Sequence, residues 1–140
     1  MVSYSVNLKI VAWFTINNTV TEAQIRGYLA NARPDLEAKI TTLVNNAPAA
    51  AEAVLDGTQF KLKLTEQAPG EWELYPKLIL TVTVADGITG LQVRNYLEDY
   101  WDQAKTVLRD LVATAPPGAN AQLTEWHVHR LTGSVDEIEI

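Results

Sequence analysis

The segment EWHVHR, residues 125–130, carries the side chains best suited to chemistry in this sequence. Side chains alternate between the two faces of a β-strand, so Glu125, His127 and His129 would lie on one face. Carboxylate and imidazole groups at this spacing are typical of zinc ligands and of acid–base pairs. The alternative is an edge strand that turns its polar residues to solvent. Since the sequence has no cysteine and no third histidine, we expect no metal and no cofactor. These three residues are the candidates for a ligand or metal site.

Other reactive groups are scarce. The serines are Ser3, Ser5 and Ser134, and no GxSxG motif surrounds any of them. The seven glycines form neither GxGxxG nor GxxxxGK[ST], so the usual phosphate-binding loops are missing. The sequence therefore predicts no catalytic residue and favours a protein that is not an enzyme.

An internal repeat organises the chain. Residues 8–48 align without a gap to residues 76–116, and 11 of these 41 pairs are identical, among them Lys9 and Lys77. Average residue usage would give about two or three identities by chance. A two-residue shift after the proline then aligns residues 58–64 with 124–130. We predict two repeats in one domain over residues 1–140, at about 5–66 and 75–131, with a linker at 67–74 and an acidic tail at 132–140.

Each repeat reads as strand, long helix, strand. Thr21 with Gln24, and Thr89 with Gln92, have the spacing of a capping box at a helix start. Apolar residues then recur at steps of three or four, which predicts one buried stripe on each helix. Proline inside a helix removes a hydrogen bond, so Pro34 predicts a kink near Arg33 in the first helix alone.

The order of elements is similar to the ferredoxin-like split βαβ sandwich. We therefore expect an α+β fold in which a four-stranded antiparallel sheet carries two long helices on one face. This fold hosts many unrelated activities, so the resemblance implies nothing about function. The tail from Thr132 is expected either to fray or to add an edge strand through Ile138 and Ile140.

The sheet face opposite the helices is the predicted interaction face. Period-two alternation places Val11, Trp13 and Ile79 there, with Lys61 and Lys63 across the sheet. A second subunit, another protein or a small acidic ligand would each suit a face with an aromatic centre and a cationic edge. Arg26 with Tyr28, and Arg94 with Tyr96, are a second candidate for anion binding. The structural interpretation is preferred for these pairs: they border the buried helix stripe and cover apolar surface while their polar tips stay in water.

Charge and composition limit the partners. The net charge of −6 and the pI near 4.8 disfavour nucleic acid and anionic lipid surfaces. The segment KLILTVTV also lacks the aromatic residues of an RNA-binding RNP1 strand. The N-terminal apolar run predicts a strand, neither a signal peptide nor a membrane span, and we expect a cytoplasmic protein.

These patterns lead to two hypotheses. The first is a non-catalytic interaction or assembly module that acts as a homodimer or an adaptor through the face with Val11, Trp13 and Ile79. The second is a dimeric α+β-barrel protein, an enzyme or small-ligand binder, that uses His127 and His129. Symmetric dimers are the commonest oligomers, so the first hypothesis takes a second copy of the chain or another protein as its partner.

Overall fold

A computed structural model describes residues 1–128 and 135–138, with side chains for residues 1–124. The helices and strands, in chain order, are β1 (Val2–Thr15), α1 (Glu22–Tyr28), α2 (Ala32–Asn45), β2 (Val54–Ala68), β3 (Glu71–Val84), α3 (Gly90–Tyr96), α4 (Tyr100–Val112), β4 (Gln122–Val128) and β5 (Val135–Ile138). Among the described residues, no helix is long and apolar enough to cross a lipid bilayer.

The strands form one antiparallel sheet in the order β2-β3-β1-β4. This order, with the helices on one face, is the ferredoxin-like α+β sandwich expected from the sequence. Strand β5 pairs with Ser3–Val6 of β1, on the edge that β4 occupies further along at Ile10–Thr15. Of the two alternatives for the acidic tail, the added edge strand is therefore the one seen at residues 135–138. Ile140 lies outside the described residues.

The core lies between the sheet and the helices. Even-numbered residues of β1, from Val6 to Phe14, are at most 2% exposed, and those of β3 continue the same layer. The predicted helix stripes complete the core. They run from Ile25 to Ala47 and from Val93 to Ala115, and every stripe residue except Ala47 and Ala115 is buried. Tyr100 lies in this layer at 1% exposure, and burial raises the pKa of its phenol. The apolar residues that alternate along the strands and those that recur along the helices thus form a single apolar cluster.

Helix α2 is also tied to the edge strand β2 by a polar contact. Glu37 accepts hydrogen bonds from the Arg33 guanidinium and from the Thr58 hydroxyl, each at 2.8 Å. The bond from Arg33 is the main cause that lowers the pKa of the Glu37 carboxyl, and the bond from Thr58 adds to it against partial desolvation. This contact fixes the outer strand of the sheet to the helix layer.

Both helical segments are interrupted, whereas the sequence predicts an interruption in the first alone. The predicted capping boxes are present at Thr21 and Thr89. The first helix breaks after Tyr28, close to the predicted kink, but the second also breaks after Tyr96, where no proline lies nearby. Pro34 is therefore not the common cause. Each break instead contains tighter hydrogen bonds between residues three apart, from Ala32 N–H to the Leu29 carbonyl at 2.9 Å and from Tyr100 N–H to the Leu97 carbonyl at 3.0 Å.

Positions of the two halves that are separated in sequence by the same number of residues as Thr21 and Thr89 have the same local structure. Glu52 and Asn120 both have left-handed φ angles, 50° and 52°. At the same offset the ladders are interrupted by bulges at Asp56 in β2 and Thr124 in β4. The two-residue shift predicted for the last strand is therefore wrong. Period-two alternation allowed it, because moving a strand by two residues leaves every side chain on the same face.

The expected linker at 67–74 is the tip of the β2–β3 hairpin, where strand residues occupy all positions but Pro69 and Gly70. Gly70 has a φ of +78°. A Cβ atom there would lie 2.5 Å from the Ile16 carbonyl oxygen, which is closer than such atoms pack. The turn therefore requires glycine both for its backbone conformation and for the close approach of the β1 end.

The substitution Gly70→Ala should destabilise the fold by about 1–3 kcal/mol, because it adds left-handed strain and a clash with the Ile16 carbonyl. Urea unfolding followed by circular dichroism measures this change. The matched control is Gly27→Ala in α1, where the added Cβ would meet no heavy atom of the described residues within 4 Å. This control should stabilise the protein by roughly 0.5–1 kcal/mol through helix propensity. Equal effects of the two substitutions would contradict the assignment of Gly70.

Candidate interaction face

The open face is defined here as the face of the sheet opposite the helices. It consists of the odd-numbered residues of β1 and β3 with their register partners on β2 and β4. Because antiparallel partners point to the same side, the register arranges these residues in rows across the strands. All five residues predicted for the interaction face, Val11, Trp13, Lys61, Lys63 and Ile79, lie on it.

Their accessibility differs from what the sequence predicted. Lys61 and Lys63 are exposed, and Trp13 and Ile79 are half-buried. Val11 is only 6% exposed, although it lies on the side away from the helices. It occupies a central strand, between Lys9 and Trp13 on the same face. Val11 therefore adds little contact area, and the apolar accessible surface belongs to Trp13 and Ile79.

A row of three lysines crosses the middle of the open face. Lys61 of β2 pairs with Lys77 of β3, which in turn pairs with Lys9 of β1. Lys63 lies in the adjacent row, opposite Tyr75. Four of the six lysines in the sequence thus lie on this face of an acidic protein. In the part of the chain with described side chains, none of the four forms an ion pair.

Alternation along the first strand places Lys9 on this face, but the interaction site predicted from the sequence does not include Lys9, Lys77 or Tyr75. The identity of Lys9 and Lys77 between the repeats does not by itself predict that they pair. Antiparallel pairing of β1 with β3 brings these two equivalent positions directly opposite each other. A ferredoxin-like topology predicts that the first and third strands are neighbours. It does not predict which residue of one strand lies opposite which residue of the other.

An acidic row lies on the other side of Tyr75. Glu73 pairs with Trp13 across the β1–β3 ladder, and Thr65 of β2 completes that row. The Gln67 amide donates a hydrogen bond to the Glu73 carboxylate at 3.3 Å. Lys77 and Glu73 are each two residues from Tyr75 on the same strand, so a cationic row and an acidic row flank the Tyr75 row at equal distance.

The candidate ligand or metal residues are placed only in part. In the β1–β4 register, His127 pairs with Val11 and Glu125 pairs with Trp13. This places their backbone beside the open face, but their side chains are not among those described, and His129 lies outside the described residues. Within the described part of the chain, no three His, Cys, Asp or Glu residues group as metal ligands. The site at Glu125, His127 and His129 remains a prediction.

A cavity of about 280 Å³ lies at the hairpin end of the sheet, lined in part by Trp13, Gln67, Glu71 and Trp72. The indole N–H of Trp72 is buried and has no hydrogen-bond partner among the described side chains. The cavity adjoins the open face, with which it shares Trp13.

The first of the two Arg–Tyr pairs, Arg26 with Tyr28, is placed as the amphipathic interpretation predicts. Arg26 forms an ion pair with Glu22 at 3.1 Å, and both side chains are about half exposed. Tyr28 is partly buried and packs against the core. Arg26 is therefore engaged within its own helix, and its pair with Tyr28 covers apolar surface.

Comparison with known proteins gives similarity of shape alone. No protein-family model matches the chain, and no curated protein matches it. Eighteen chains of solved structures match. A structure of AtUAH in complex with (S)-hydroxyglycine has a TM-score of 0.39 and 12% identity, over 96% of this chain and 28% of that one. The extracellular region of zebrafish Gpr126/Adgrg6 has a TM-score of 0.38 and 8% identity, over 91% of this chain and 13% of that one.

The chain thus spans less than a third of the length of these two structures. At this level of similarity, neither structure supports a conclusion about activity or partners.

The lysine row predicts an electrostatic cost in the free protein, because like charges directly opposite each other on a sheet repel. The substitution Lys61→Gln should raise the free energy of unfolding by about 0.2–1 kcal/mol at low ionic strength. The gain should shrink in about 1 M salt, where the screening length falls to about 3 Å. Urea unfolding at the two salt concentrations measures both values.

The matched control is Lys63→Gln, the next residue of β2 on the same face, whose cross-strand partner is Tyr75. It should change stability less than Lys61→Gln does. If Lys61→Gln leaves stability unchanged or lowers it at low salt, the row carries no repulsive cost.

Proposed function

We propose that this protein is a non-catalytic interaction or assembly module that binds its partner through the open face, either as a homodimer or as an adaptor for another protein. The observation that carries the proposal is the position of Trp13 and Ile79, large apolar side chains half-buried on the side of the sheet away from the helices. The proposal includes the cytoplasmic location expected from the sequence.

The layer structure supports this proposal. A sheet with apolar residues on both faces is stable in water when a second layer covers each face. Here the helices cover one face, while the other presents Trp13, Tyr75 and Ile79 between charged rows. Tryptophan and tyrosine are enriched in protein interfaces because they combine a large apolar area with a polar tip.

The charge pattern supports a macromolecular partner in particular. A row of lysines and a separate row that contains Glu73, spaced along the strands, match an extended surface with its own ordered charges better than one small ligand. Like charges directly opposite each other on a sheet repel, so a partner that places carboxylates near Lys61, Lys77 and Lys9 would relieve that repulsion.

The substitution Trp13→Asp tests the proposal, because it removes the largest apolar side chain of the open face. The dissociation constant of the complex should rise at least about 30-fold, since loss of a tryptophan that anchors an interface commonly costs about 2 kcal/mol or more. Native mass spectrometry over a concentration series measures self-association. Affinity capture with wild-type and variant baits measures binding to other proteins, and far-UV circular dichroism checks that the helices persist.

The matched control is Leu91→Asp, which changes a 66% exposed leucine on α3, in the helix layer. It should leave self-association and partner binding as in the wild type. If Trp13→Asp changes neither the measured mass nor the set of captured proteins, the open face is not the interaction surface and the proposal fails.

A further inference from the structure

We infer that the partner on the open face is a second copy of this chain, packed face to face about a twofold axis that crosses the strands over the Tyr75 row. This inference rests on the proposed function and adds the identity and orientation of the partner. The observation behind it is the symmetric placement of Lys77 and Glu73 about Tyr75, which makes the face complementary to itself.

Symmetry leaves few ways to stack a sheet face on its own copy, because the twofold axis must lie in the plane between the two sheets. An axis parallel to the strands keeps each row at the same height along the strands. Lys77 and Lys9 would then face the lysine row of the second copy, and this arrangement is repulsive.

An axis perpendicular to the strands gives the opposite result. It reverses the order of the rows while β1 faces β1 and β3 faces β3. With the axis over Tyr75, Lys77 meets Glu73 of the second copy, and Glu73 meets Lys77 of that copy. The same operation places Lys9 over Trp13 of the second copy, which is the geometry of a cation–π contact. Each protomer therefore contributes one lysine row and one acidic, aromatic row.

The remaining rows are compatible with this arrangement. Lys61 meets Thr65 of the second copy, so the outer lysine faces a neutral side chain. Lys63 meets its own copy on the axis, but it is exposed on the edge strand, and its long stem can carry the ammonium group into solvent. Ile79 meets Glu71 of the second copy at the end of the interface, in the row that Glu71 forms with Thr15. The like-charge row, unfavourable in one chain, is thus matched at its central lysine by a carboxylate.

The size of the face is sufficient for a dimer of moderate stability. Four strands spaced about 4.8 Å apart, and about eight residues at about 3.4 Å along each strand, give a footprint of roughly 500 Å² per copy. Two copies then bury at least about 1,000 Å², at the lower end of specific interfaces. Aligned sheets pack about 10 Å apart. Lysine and glutamate side chains that extend from facing sheets meet across this gap.

Charge reversal with complementation tests the arrangement. Lys77→Glu alone places carboxylates against carboxylates in both symmetric contacts, and Glu73→Lys alone places ammonium groups against ammonium groups. Each variant alone should dissociate, with a dissociation constant raised at least about tenfold. An equimolar mixture of the two should form a heterodimer close to wild-type affinity. In that heterodimer the two substituted side chains, of opposite charge, meet in one contact, and the unchanged Glu73 and Lys77 meet in the other. Native mass spectrometry distinguishes the heterodimer by mass.

Control variants separate folding from association. Lys105→Glu and Asp102→Lys reverse charges on the exposed side of α4, so each should dimerise alone like the wild type. Lys77→Gln and Glu73→Gln remove charge without adding repulsion, and both should weaken the dimer less than the reversals do. If circular dichroism shows that a reversal variant is unfolded, two other measurements test the arrangement. These are the weaker dimers of Lys77→Gln and Glu73→Gln and the loss of the wild-type dimer in high salt.

The outcomes distinguish this inference from the proposed function. If Trp13→Asp prevents dimerisation but the two reversal variants dimerise alone, or if their mixture stays monomeric, the open face binds a copy in another orientation and the inference is overturned. If the wild type is monomeric but captures another protein that Trp13→Asp loses, the proposed function stands and the second copy is excluded. If Trp13→Asp changes nothing, both fail.

Discussion

The two-residue alternation along β1 and β3 determines which side chains meet the helices and which form the other surface of the sheet. From Tyr4 in β1 and from Trp72 in β3, the even-numbered residues are buried in the core with the helices, which places the odd-numbered residues on the opposite side of the sheet. A slip of one residue would bury Lys9 and Lys77 and expose Leu8 and Leu78. The hydrophobic core therefore fixes the arrangement of charges on the open face.

This constraint explains how three lysines come to lie in one row. Burial of Leu8, Leu78 and their neighbours contributes several kcal/mol, whereas repulsion among half-buried and exposed lysines costs no more than about 1 kcal/mol for each pair. Burial of the core residues determines the register, and the register determines which residues lie in one row on the open face. In the arrangement we infer, the same register that creates the repulsion also places Glu73 where a second copy relieves it.

Much of the fold was predictable because its signals are local or periodic. The capping boxes at Thr21 and Thr89 and the alternation in β1 and β3 each identify an element from a short stretch of sequence. The break in the second helical segment was not predictable, since no proline or glycine marks residues 97–99. The shift in the last strand was wrong because a period of two cannot distinguish registers that differ by two residues.

The site was predictable only in outline. Alternation placed Trp13, Ile79, Lys61 and Lys63 on the correct face, but the lysine row depends on which residue of β1 lies opposite which residue of β3. Alternation along a single strand also does not predict that Val11 is only 6% exposed. The positions of Lys9 and Lys77 as an identical pair in the repeat were the one signal that pointed to the row.

Site-resolved lysine labelling is the most direct test of association through the open face. Trace acetylation over a concentration series, followed by peptide mass spectrometry, reports the accessibility of each lysine as the mass doubles. We expect Lys9 and Lys77 to lose reactivity with dimer formation while Lys39 and Lys105, on α2 and α4, keep theirs. Constant reactivity of Lys9 and Lys77 across that transition, or protection of Lys39 and Lys105 instead, would contradict association through the open face.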